Sequence, residues 1–349
     1  MKKRVAVGIS GGVDSSVAAL LLQKEGYEVV GITFKFTEEF DEKDAVLVCE
    51  KLGIEHHIID YRKEFKEKVI DKFIDDYKIG ITPNPCVMCN RYVKLNFLYE
   101  QMIKHNCDYM ATGHYAKVMN GKLYKSADEN KDQTYFLCSI TKEELSHIMF
   151  PLEEIDKKKV REIAEENNLD NALKKDSTDV CFINNSFKEY ITNNISDNKG
   201  DVIDVTANEK VGCHNGLFHY TIGQRRGINI GGNSDRMFVI GKDVNKNILY
   251  VAVGSQTDYL ISTSCILEET NWFSDERKFD NLTAKFRYRQ KELPVDIEFL
   301  EDNKILVKYK DGIKSVTPGQ VCAIYNGDRC LGGGVIKEVM KNGKKLWYL

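Results

Sequence analysis

The chain has 349 residues, of which 42% are hydrophobic and 30% charged, and its formal net charge is −3. This length exceeds one typical domain, so we expect two or three. No apolar stretch is long enough to cross a membrane, and the first residues lead directly into a strand pattern, which predicts a cytoplasmic protein without membrane association. The slightly negative charge argues against indiscriminate nucleic-acid binding but leaves room for a local basic surface.

A glycine- and serine-rich segment near the N-terminus carries the strongest functional signal. Its residues are Ser10-Gly11-Gly12-Val13-Asp14-Ser15-Ser16. The apolar run at 5–9 predicts a buried strand, and apolar residues at helical spacing follow, so the segment joins a strand to a helix N-terminus. Free backbone N–H groups and the helix dipole favour an anion there. Without a following Gly-Lys-Ser/Thr, the segment resembles the PP-loop of ATP pyrophosphatases, which cleave ATP to AMP and pyrophosphate.

The rest of the N-terminal part alternates predicted strands and helices. Further strands are predicted at 29–34, 56–60 and 109–112, and helices at 44–52, 64–77, 90–105 and 157–168. Asp156 is a plausible N-cap for the last of these, and Ser186 opens another helix with a capping-box pattern. This order predicts an α/β domain with a parallel sheet, helices on both faces and ligands at the carboxyl ends of its strands.

From about Gly200 the pattern changes to short strands separated by Asn-Gly and Asp-Gly turns. Several strands from Leu282 to Leu349 suggest a closed β-barrel at the C-terminus.

Two cysteines in a Cys-x-x-Cys motif, Cys86 and Cys89, lie between a proline-rich loop and a predicted helix. A helix N-terminus makes a nearby thiol easier to ionise. Cys181 is a distant candidate partner, although spacing alone does not show that it meets them. A redox pair, half of a zinc site and incidental cysteines all stay open. Adjacent His56 and His57 in a strand point to opposite faces and make a poor metal pair.

Basic residues cluster at 157–159, 174–175, 225–226 and 285–291. Taken alone, each cluster is expected to be a solvated face. The segment Arg287-Tyr288-Arg289-Gln290 is the best nucleic-acid candidate among them, because an aromatic ring between cations can stack on a base.

Several motifs then occur in a fixed order along the chain: TPNP at 82–85, CN at 89–90, ATGHY at 111–115, KDQTYFL at 131–137, DST at 176–178, CFI at 181–183, HYTIGQRRG at 219–227 and TPGQ at 317–320. Together with the phosphate loop they resemble the tRNA-specific 2-thiouridylase family of the PP-loop ATP pyrophosphatase superfamily, over nearly the whole chain. The resemblance implies a PP-loop ATP-binding catalytic domain at 1–197, similar to adenine nucleotide α-hydrolases. It also implies a central β-rich, tRNA-contacting domain at 198–257 and a β-barrel domain at 258–349.

The resemblance implies 2-thiolation of the wobble uridine of tRNAs for Lys, Glu and Gln. ATP, with Mg²⁺, would adenylate the C2 oxygen of the uridine, and AMP and pyrophosphate would be released. Cys181 matches the family's persulfide carrier, which a relay protein or a cysteine desulfurase would load. Cys89 matches the cysteine that completes sulfur release and forms a disulfide with Cys181.

By the same resemblance, three groups of binding residues follow. ATP would be held by Gly8, Ile9, Ser10, Gly11, Gly12, Val13, Asp14, Ser15, Phe34 and Gly113. The flipped target base would face Asn84, Pro85 and Cys86. The tRNA would contact His114, Lys131, Asp132, Gln133, Arg287, Tyr288, Arg289 and Gln320.

Two features depart from the family pattern. Many members carry Asp at the position of Cys86, where that carboxylate is a proposed general acid/base, and a thiol replaces it only imperfectly. The third cysteine also opens an alternative in which Cys86, Cys89 and Cys181 ligate a [4Fe–4S] cluster whose fourth iron carries sulfide. The segment from Phe34 to Asp44 is shorter than in many relatives, which puts in doubt any contact made by the longer loop.

Two other classes of function stay open. A PP-loop ATP-dependent ligase of the amide or argininosuccinate type would use the phosphate loop but need no paired cysteines. A non-catalytic RNA- or nucleotide-binding adaptor would release no pyrophosphate from ATP.

Overall fold

The computed structural model describes residues 2–174, 180–183, 186–228, 237–254 and 258–349. Its N-terminal part alternates strands and helices as the sequence predicts. In chain order the elements are β1 (Arg4–Gly8), α1 (Val13–Lys24), β2 (Glu28–Lys35), α2 (Lys43–Leu52), β3 (Glu55–Asp60), α3 (Arg62–Phe65), α4 (Lys72–Lys78), α5 (Pro85–Cys89), α6 (Leu95–Lys104), β4 (Tyr109–Ala111), β5 (Lys117–Met119), β6 (Lys122–Tyr124), α7 (Thr134–Leu137), α8 (Lys142–His147), β7 (Ile148–Met149), α9 (Lys157–Glu166) and α10 (Phe187–Asn194). The two predicted N-caps are present, because the Asp156 and Ser186 side chains accept from Lys159 N and Glu189 N.

Five parallel strands form the N-terminal sheet in the order β3-β2-β1-β4-β7. Successive strand residues point to opposite faces. Ala6 of β1 accordingly packs in the same apolar cluster as Leu98 of α6, whereas Val5 and Val7 pack in another with Leu22 of α1. The strand is therefore buried from both sides, and the predicted α/β layering is confirmed.

The direction of strand order reverses between β1 and β4. In open α/β sheets, ligands bind in the crevice outside the carboxyl ends of the strands at such a reversal. The loops that follow β1 and β4 meet there, so the topology places the phosphate loop at the expected binding crevice.

Two helices contain a π-helical turn that the sequence pattern does not predict. The predicted helix at 64–77 runs from α3 through π-helical Lys66–Asp71 into α4. The predicted helix at 90–105 begins earlier, at Pro85, and passes through π-helical Asn90–Lys94 between α5 and α6. Single π turns inside α-helices are frequent at functional sites.

The remainder of the chain is almost entirely β. Its strands are β8 (Gly200–Asp204), β9 (Glu209–His214), β10 (Met237–Asp243), β11 (Ile248–Val253), β12 (Ile261–Trp272), β13 (Leu282–Lys285), β14 (Leu293–Pro294), β15 (Asp296–Phe299), β16 (Ile305–Lys314), β17 (Val321–Asn326), β18 (Arg329–Lys341) and β19 (Lys344–Lys345). The first four form a sheet in the order β10-β11-β8-β9, and most of the others form the order β14-β13-β17-β18-β12-β16-β15. Both sheets share one apolar cluster, which contains for example Val202 and Val251 with Cys265 and Val307.

A hairpin from the N-terminal part extends the C-terminal sheet. Strands β5 and β6 pair with each other, and β6 pairs with β18 through Tyr124–Arg329 and Leu123–Cys330. The loop that follows the hairpin therefore lies beside the barrel. Among the described residues, none of the helices has both the length and the apolar character to span a membrane.

Candidate active site

Hydrogen bonds between its own residues hold the phosphate loop in its turn conformation. Ser15 Oγ donates to the carbonyl of Gly12 (2.9 Å) and accepts from the backbone N–H of Ser10 (3.3 Å). Gly11 has a φ of +75°, and a Cβ there would lie 2.8 Å from the Cβ of Asp44, so this position requires glycine. Because α1 begins directly after the loop, its first N–H groups point toward the crevice and favour an anion.

Side chains from distant parts of the chain hold this loop. Buried Asn171 donates through Nδ2 to the carbonyl of Gly11 (3.0 Å) and to Ser16 Oγ (2.8 Å). Asp14 forms an ion pair with Lys157 Nζ at 2.7 Å. Asn171 lies in none of the sequence motifs. The solvated face predicted for Lys157 was wrong, because this lysine forms an ion pair with the loop carboxylate.

The loop after β4 packs directly against the phosphate loop. A Cβ on Gly113 would lie 2.6 Å from backbone atoms of Asp14 and Ser15, so only glycine permits this approach. Tyr115 donates its hydroxyl hydrogen to Asp14 Oδ1 at 2.8 Å. The two predicted nucleotide-contacting loops therefore form one surface.

The other predicted ATP-contacting residues lie at the same edge of the sheet. Gly8 ends β1, and Phe34 lies near the carboxyl end of β2. Ile9, Val13 and Phe34 have buried side chains, so contacts from these three to a nucleotide would use the backbone.

The Cys-x-x-Cys motif lies inside α5 rather than before a helix. Asn84 is its N-cap and accepts from the Val87 N–H (3.3 Å), and Pro85 occupies the first helical position, where its missing N–H costs nothing. Cys86 is half-buried in the first turn, and Cys89 is buried at the end of the element.

The C-terminal barrel holds the loop that leads into α5. Gln320 donates through Nε2 to the carbonyls of Thr82 (2.8 Å) and Pro83 (3.3 Å). A Cβ on Gly319, whose φ is +88°, would lie 2.1 Å from Ile81 Cγ2. The predicted base-facing segment is therefore positioned by two domains at once.

An aromatic anchor fixes the segment that carries Cys181. The ring of Phe182 packs against Phe65 at 5.8 Å, Phe73 at 5.3 Å and Tyr190 at 5.6 Å between centroids. Phe182 is buried, whereas Cys181 is exposed to solvent. The anchor thus holds the neighbouring thiol at an accessible position beside the helices that contain the π turns.

The three thiols lie close enough to influence one another. Burial raises the pKa of Cys86, and the nearby Cys181 raises it further. Burial raises the pKa of Cys89 to about 12, with smaller contributions in the same direction from Cys181 and Cys86. Desolvation by the surrounding protein also raises the pKa of Cys181, although the residue is exposed. The expectation of an easily ionised thiol was wrong, because desolvation of the thiolate outweighs the helix dipole.

Lys94 opposes this effect at all three sulfurs. Its positive charge lowers the pKa of Cys86, Cys89 and Cys181. The same charge, after burial, helps to lower the pKa of His114 to about 3, so this imidazole is neutral at physiological pH. Lys94 is therefore near enough to the loop after β4 and to the thiols for its charge to act on both. The sequence analysis did not single out Lys94. The signal that could have found it is its position at the end of a π turn, five residues after Cys89.

Several residues predicted to contact tRNA also make contacts within the protein. Arg287 donates through Nη2 to the carbonyls of Ile222 (3.2 Å) and Ser315 (3.0 Å) and to Thr317 Oγ1 (3.0 Å). It thereby joins three of the sequence motifs.

Asp132, Gln133 and Gln320 make comparable internal contacts. Buried Asp132 accepts from the Thr134 hydroxyl (2.8 Å), and Gln133 Oε1 accepts from the Tyr115 N–H (2.9 Å). Gln320, as described above, bonds the loop before α5. These three residues therefore stabilise the segments around the candidate site.

Lys131, Tyr288 and Arg289 line a cleft of about 1220 Å³ between the loop after β6 and the barrel. Arg289 is exposed. The cleft contains both charge signs, with Lys117, Lys125, Lys285 and Lys291 beside Glu129, Asp132, Glu154, Glu292 and Asp328. Its lysines and its aromatic ring fit a phosphate backbone with a stacked base, while its acids limit indiscriminate binding. The DST motif at 176–178 lies outside the described residues.

Comparison with known proteins agrees with the order of these domains. The family described as "tRNA methyl transferase HUP domain" matches residues 3–185, "tRNA methyl transferase PRC-barrel domain" matches 188–253, and "Aminomethyltransferase beta-barrel domain" matches 262–336. A protein from Mycoplasmopsis synoviae (strain 53), named tRNA-specific 2-thiouridylase MnmA, is 44% identical over 370 residues, covering 100% of this chain and 99% of that protein. Its namesake from Geobacillus thermodenitrificans (strain NG80-2) is 46% identical over 364 residues, covering 99% and 98%.

The chain belongs to the tRNA-specific 2-thiouridylase family. The family resemblance and the fold class, an α/β domain followed by a small β-rich domain and a β-barrel, are confirmed. The boundaries at 197/198 and 257/258 and the individual residue roles stay predictions.

Replacing Lys94 by Ala tests the thiol electrostatics. Without this cation the thiol pKa values rise further, so at a fixed pH near 8 fewer thiolates exist and iodoacetamide reacts about threefold to tenfold more slowly with Cys181. The pH profile of alkylation, followed by peptide mass spectrometry, should move to higher pH. Lys104→Ala, at the exposed end of α6, is the matched control and should leave the profile unchanged. An unchanged profile in Lys94→Ala would contradict the assignment.

Two neighbouring arginines separate support from RNA contact. Arg287→Ala should lower the free energy of unfolding by about 2 kcal/mol, because the substitution removes a charged donor and leaves its three acceptors without that hydrogen-bond partner. Arg289→Ala should change stability by less than about 0.5 kcal/mol and instead weaken tRNA binding and its salt dependence. Thermal unfolding and filter binding over a salt series measure these effects. The opposite pattern would exchange the two roles.

Proposed function

We propose that this protein is a tRNA uridine 2-sulfurtransferase that uses ATP to activate the wobble uridine and delivers sulfur from a persulfide on Cys181. The observation that carries the proposal is that exposed Cys181 lies near enough to the buried Cys-x-x-Cys helix to raise its thiol pKa values, while the charge of Lys94 acts on these thiols and on His114 in the loop that packs against the phosphate loop. The relatives named tRNA-specific 2-thiouridylase support the substrate class.

The first step is adenylation. The uridine C2 oxygen attacks the α-phosphorus of ATP, the bond to the β-phosphate oxygen breaks, and pyrophosphate leaves. The phosphate loop, with its free N–H groups at the start of α1, suits the developing charge on pyrophosphate. ATP as its Mg²⁺ complex, and the contacts of Gly8, Phe34 and Gly113 with it, belong to this proposal.

The second step is sulfur transfer. The terminal sulfur of a Cys181 persulfide attacks C2 of the activated uridine, and the C2–O bond breaks with AMP as the leaving group. The exposure of Cys181 allows a protein donor to load the persulfide. Lys94 favours the anionic form of the sulfur. The base reaches this position flipped out against Asn84, Pro85 and Cys86.

The third step releases the product. Cys89 attacks Cys181 Sγ, the bond to the transferred sulfur breaks, and its electron pair forms the C2 thiocarbonyl, while the thiol proton passes to N3 of the uridine. The protein is left with a Cys89–Cys181 disulfide, which a cellular thiol reductant must reduce before the next cycle. The raised pKa of Cys89 keeps this thiol protonated and unreactive until the substrate changes its surroundings.

Cys86 supports a second candidate for the same reaction. It makes the third thiol of a coupled set with Cys89 and Cys181, and thiolates are the ligands that iron–sulfur clusters take. The donor set therefore fits a [4Fe–4S] cluster, which when bound would supply an iron open to a sulfide. The persulfide route is preferred because it needs only two of the three cysteines.

Cysteine substitutions separate these functions. Cys181→Ser should abolish sulfur incorporation into tRNA but keep tRNA-dependent pyrophosphate release, because adenylation does not use this thiol. Cys89→Ser should also abolish thiolation but keep pyrophosphate release, because the reaction stops after the persulfide has transferred to the uridine. Cys213→Ser, at another exposed cysteine, is the matched control with full activity. Protein purified without oxygen is analysed in parallel for iron and labile sulfide.

Each result has a distinct meaning. Iron-free protein that thiolates tRNA fully supports the persulfide route, whereas activity that follows the iron content supports the cluster. Activity of Cys181→Ser equal to wild type would favour a PP-loop ligase. An absence of pyrophosphate release from ATP in the presence of tRNA would favour a non-catalytic adaptor.

A further inference from the structure

Three potential metal ligands converge at the edge of the N-terminal sheet opposite the phosphate loop. Glu55 and His57 lie at the amino end of β3, which is an edge strand. His105 follows the last residue of α6. The parallel strands carry the phosphate loop at their carboxyl ends, so this cluster is separate from the proposed active site.

The side chains have the arrangement that a metal ion needs. Glu55 and His57 are two residues apart in a strand and share one face. One ligand atom from each of Glu55, His57 and His105 lies within 4.8 Å of the others. Glu55 Oε1 is 2.7 Å from His57 Nε2, and the rings of His57 and His105 are 4.0 Å apart at 30°. His56 points away and bonds Thr33 instead, as strand alternation predicts.

Arg4 fixes this cluster from one side. Its Nη2 donates to Glu55 Oε2 at 2.8 Å, and its Nη1 donates to the backbone carbonyl of His105 at 3.1 Å. The arginine therefore orients one ligand and positions the backbone of another, while Glu55 Oε1 stays on the histidine side. Such outer contacts are the usual support of a metal ligand.

The protonation states also suit a metal. Burial, followed by repulsion from His57, lowers the pKa of His105, which favours the uncharged imidazole. The hydrogen bond from His57 lowers the pKa of Glu55, so the carboxylate is ionised. Metal binding requires these deprotonated forms.

We propose that Glu55, His57 and His105 form a binding site for a divalent transition-metal ion of the zinc class. Two imidazole nitrogens and one carboxylate oxygen suit Zn²⁺, Ni²⁺ or Cu²⁺ better than Mg²⁺ or Ca²⁺, which take oxygen ligands. Three protein ligands leave a coordination position for water. The ion would join the edge strand β3 to the end of α6, whose helix run begins at the Cys-x-x-Cys motif.

The alternative is a plain Glu55–His57 ion pair with His105 stacked on it. Under this alternative the cluster is not a metal site, so His105→Gln should not affect metal binding. Under the proposal, His105→Gln and His57→Gln should both remove the same site.

Ni²⁺ titration by isothermal calorimetry distinguishes the two. The full chain is first treated with iodoacetamide, so that exposed thiols do not bind the probe. The wild type should bind about one equivalent of Ni²⁺, with an affinity that falls about tenfold or more in His57→Gln and in His105→Gln. His147→Gln, a histidine on α8 outside the cluster, is the matched control and should bind as the wild type does.

A second readout keeps the test decisive if a variant is unstable. Ni²⁺ should raise the melting temperature of the wild type and of His147→Gln but not of the two cluster variants, because a ligand that binds the folded state stabilises it. Equal binding in all four proteins, or no binding in the wild type, would overturn the proposal. Neither result bears on tRNA thiolation, since the cluster is remote from the thiols.

Discussion

The positive charge of Lys94 is the interaction on which the proposed chemistry depends. It acts on Cys86, Cys89 and Cys181, and also on His114 in the loop that packs against the phosphate loop. Burial alone would hold all three thiols protonated, and this charge opposes that tendency without abolishing it. The three thiols of the proposed site are therefore protonated and unreactive at rest. The Lys94 charge is already in place to stabilise a sulfur that becomes anionic during transfer.

The position of this cation follows from contacts between domains. The π turn at Asn90–Lys94 ends at this lysine, and Gln320 of the barrel holds the loop before the helix. Phe182 anchors the exposed cysteine from the other side. The barrel thus acts as part of the active-site wall, which explains why motifs far apart in the chain occur together.

The sequence was sufficient for features that depend on local pattern. The strand–loop–helix of the phosphate loop, the N-caps at Asp156 and Ser186 and the change to β structure near Gly200 all follow from periodicity and turn residues. The prediction that Cys89 and Cys181 act together came only from the family resemblance, because spacing does not fix a contact across ninety-odd residues. Features set by packing were not predicted: the π turns, the ionisation of the thiols, the ion pair of Lys157 with Asp14 and the internal contacts of Arg287. Each of these depends on burial or on a partner that is remote in the chain.

The most direct test of the central claim is thiol cross-linking of the resting protein with dibromobimane, followed by peptide mapping. If the account is right, the fluorescent bridge joins Cys181 to Cys89 or Cys86, and Lys94→Ala forms it more slowly at the same pH. A bridge from Cys181 to any other cysteine, or Cys181 labelled only singly at saturating reagent, would show that these thiols do not share one site.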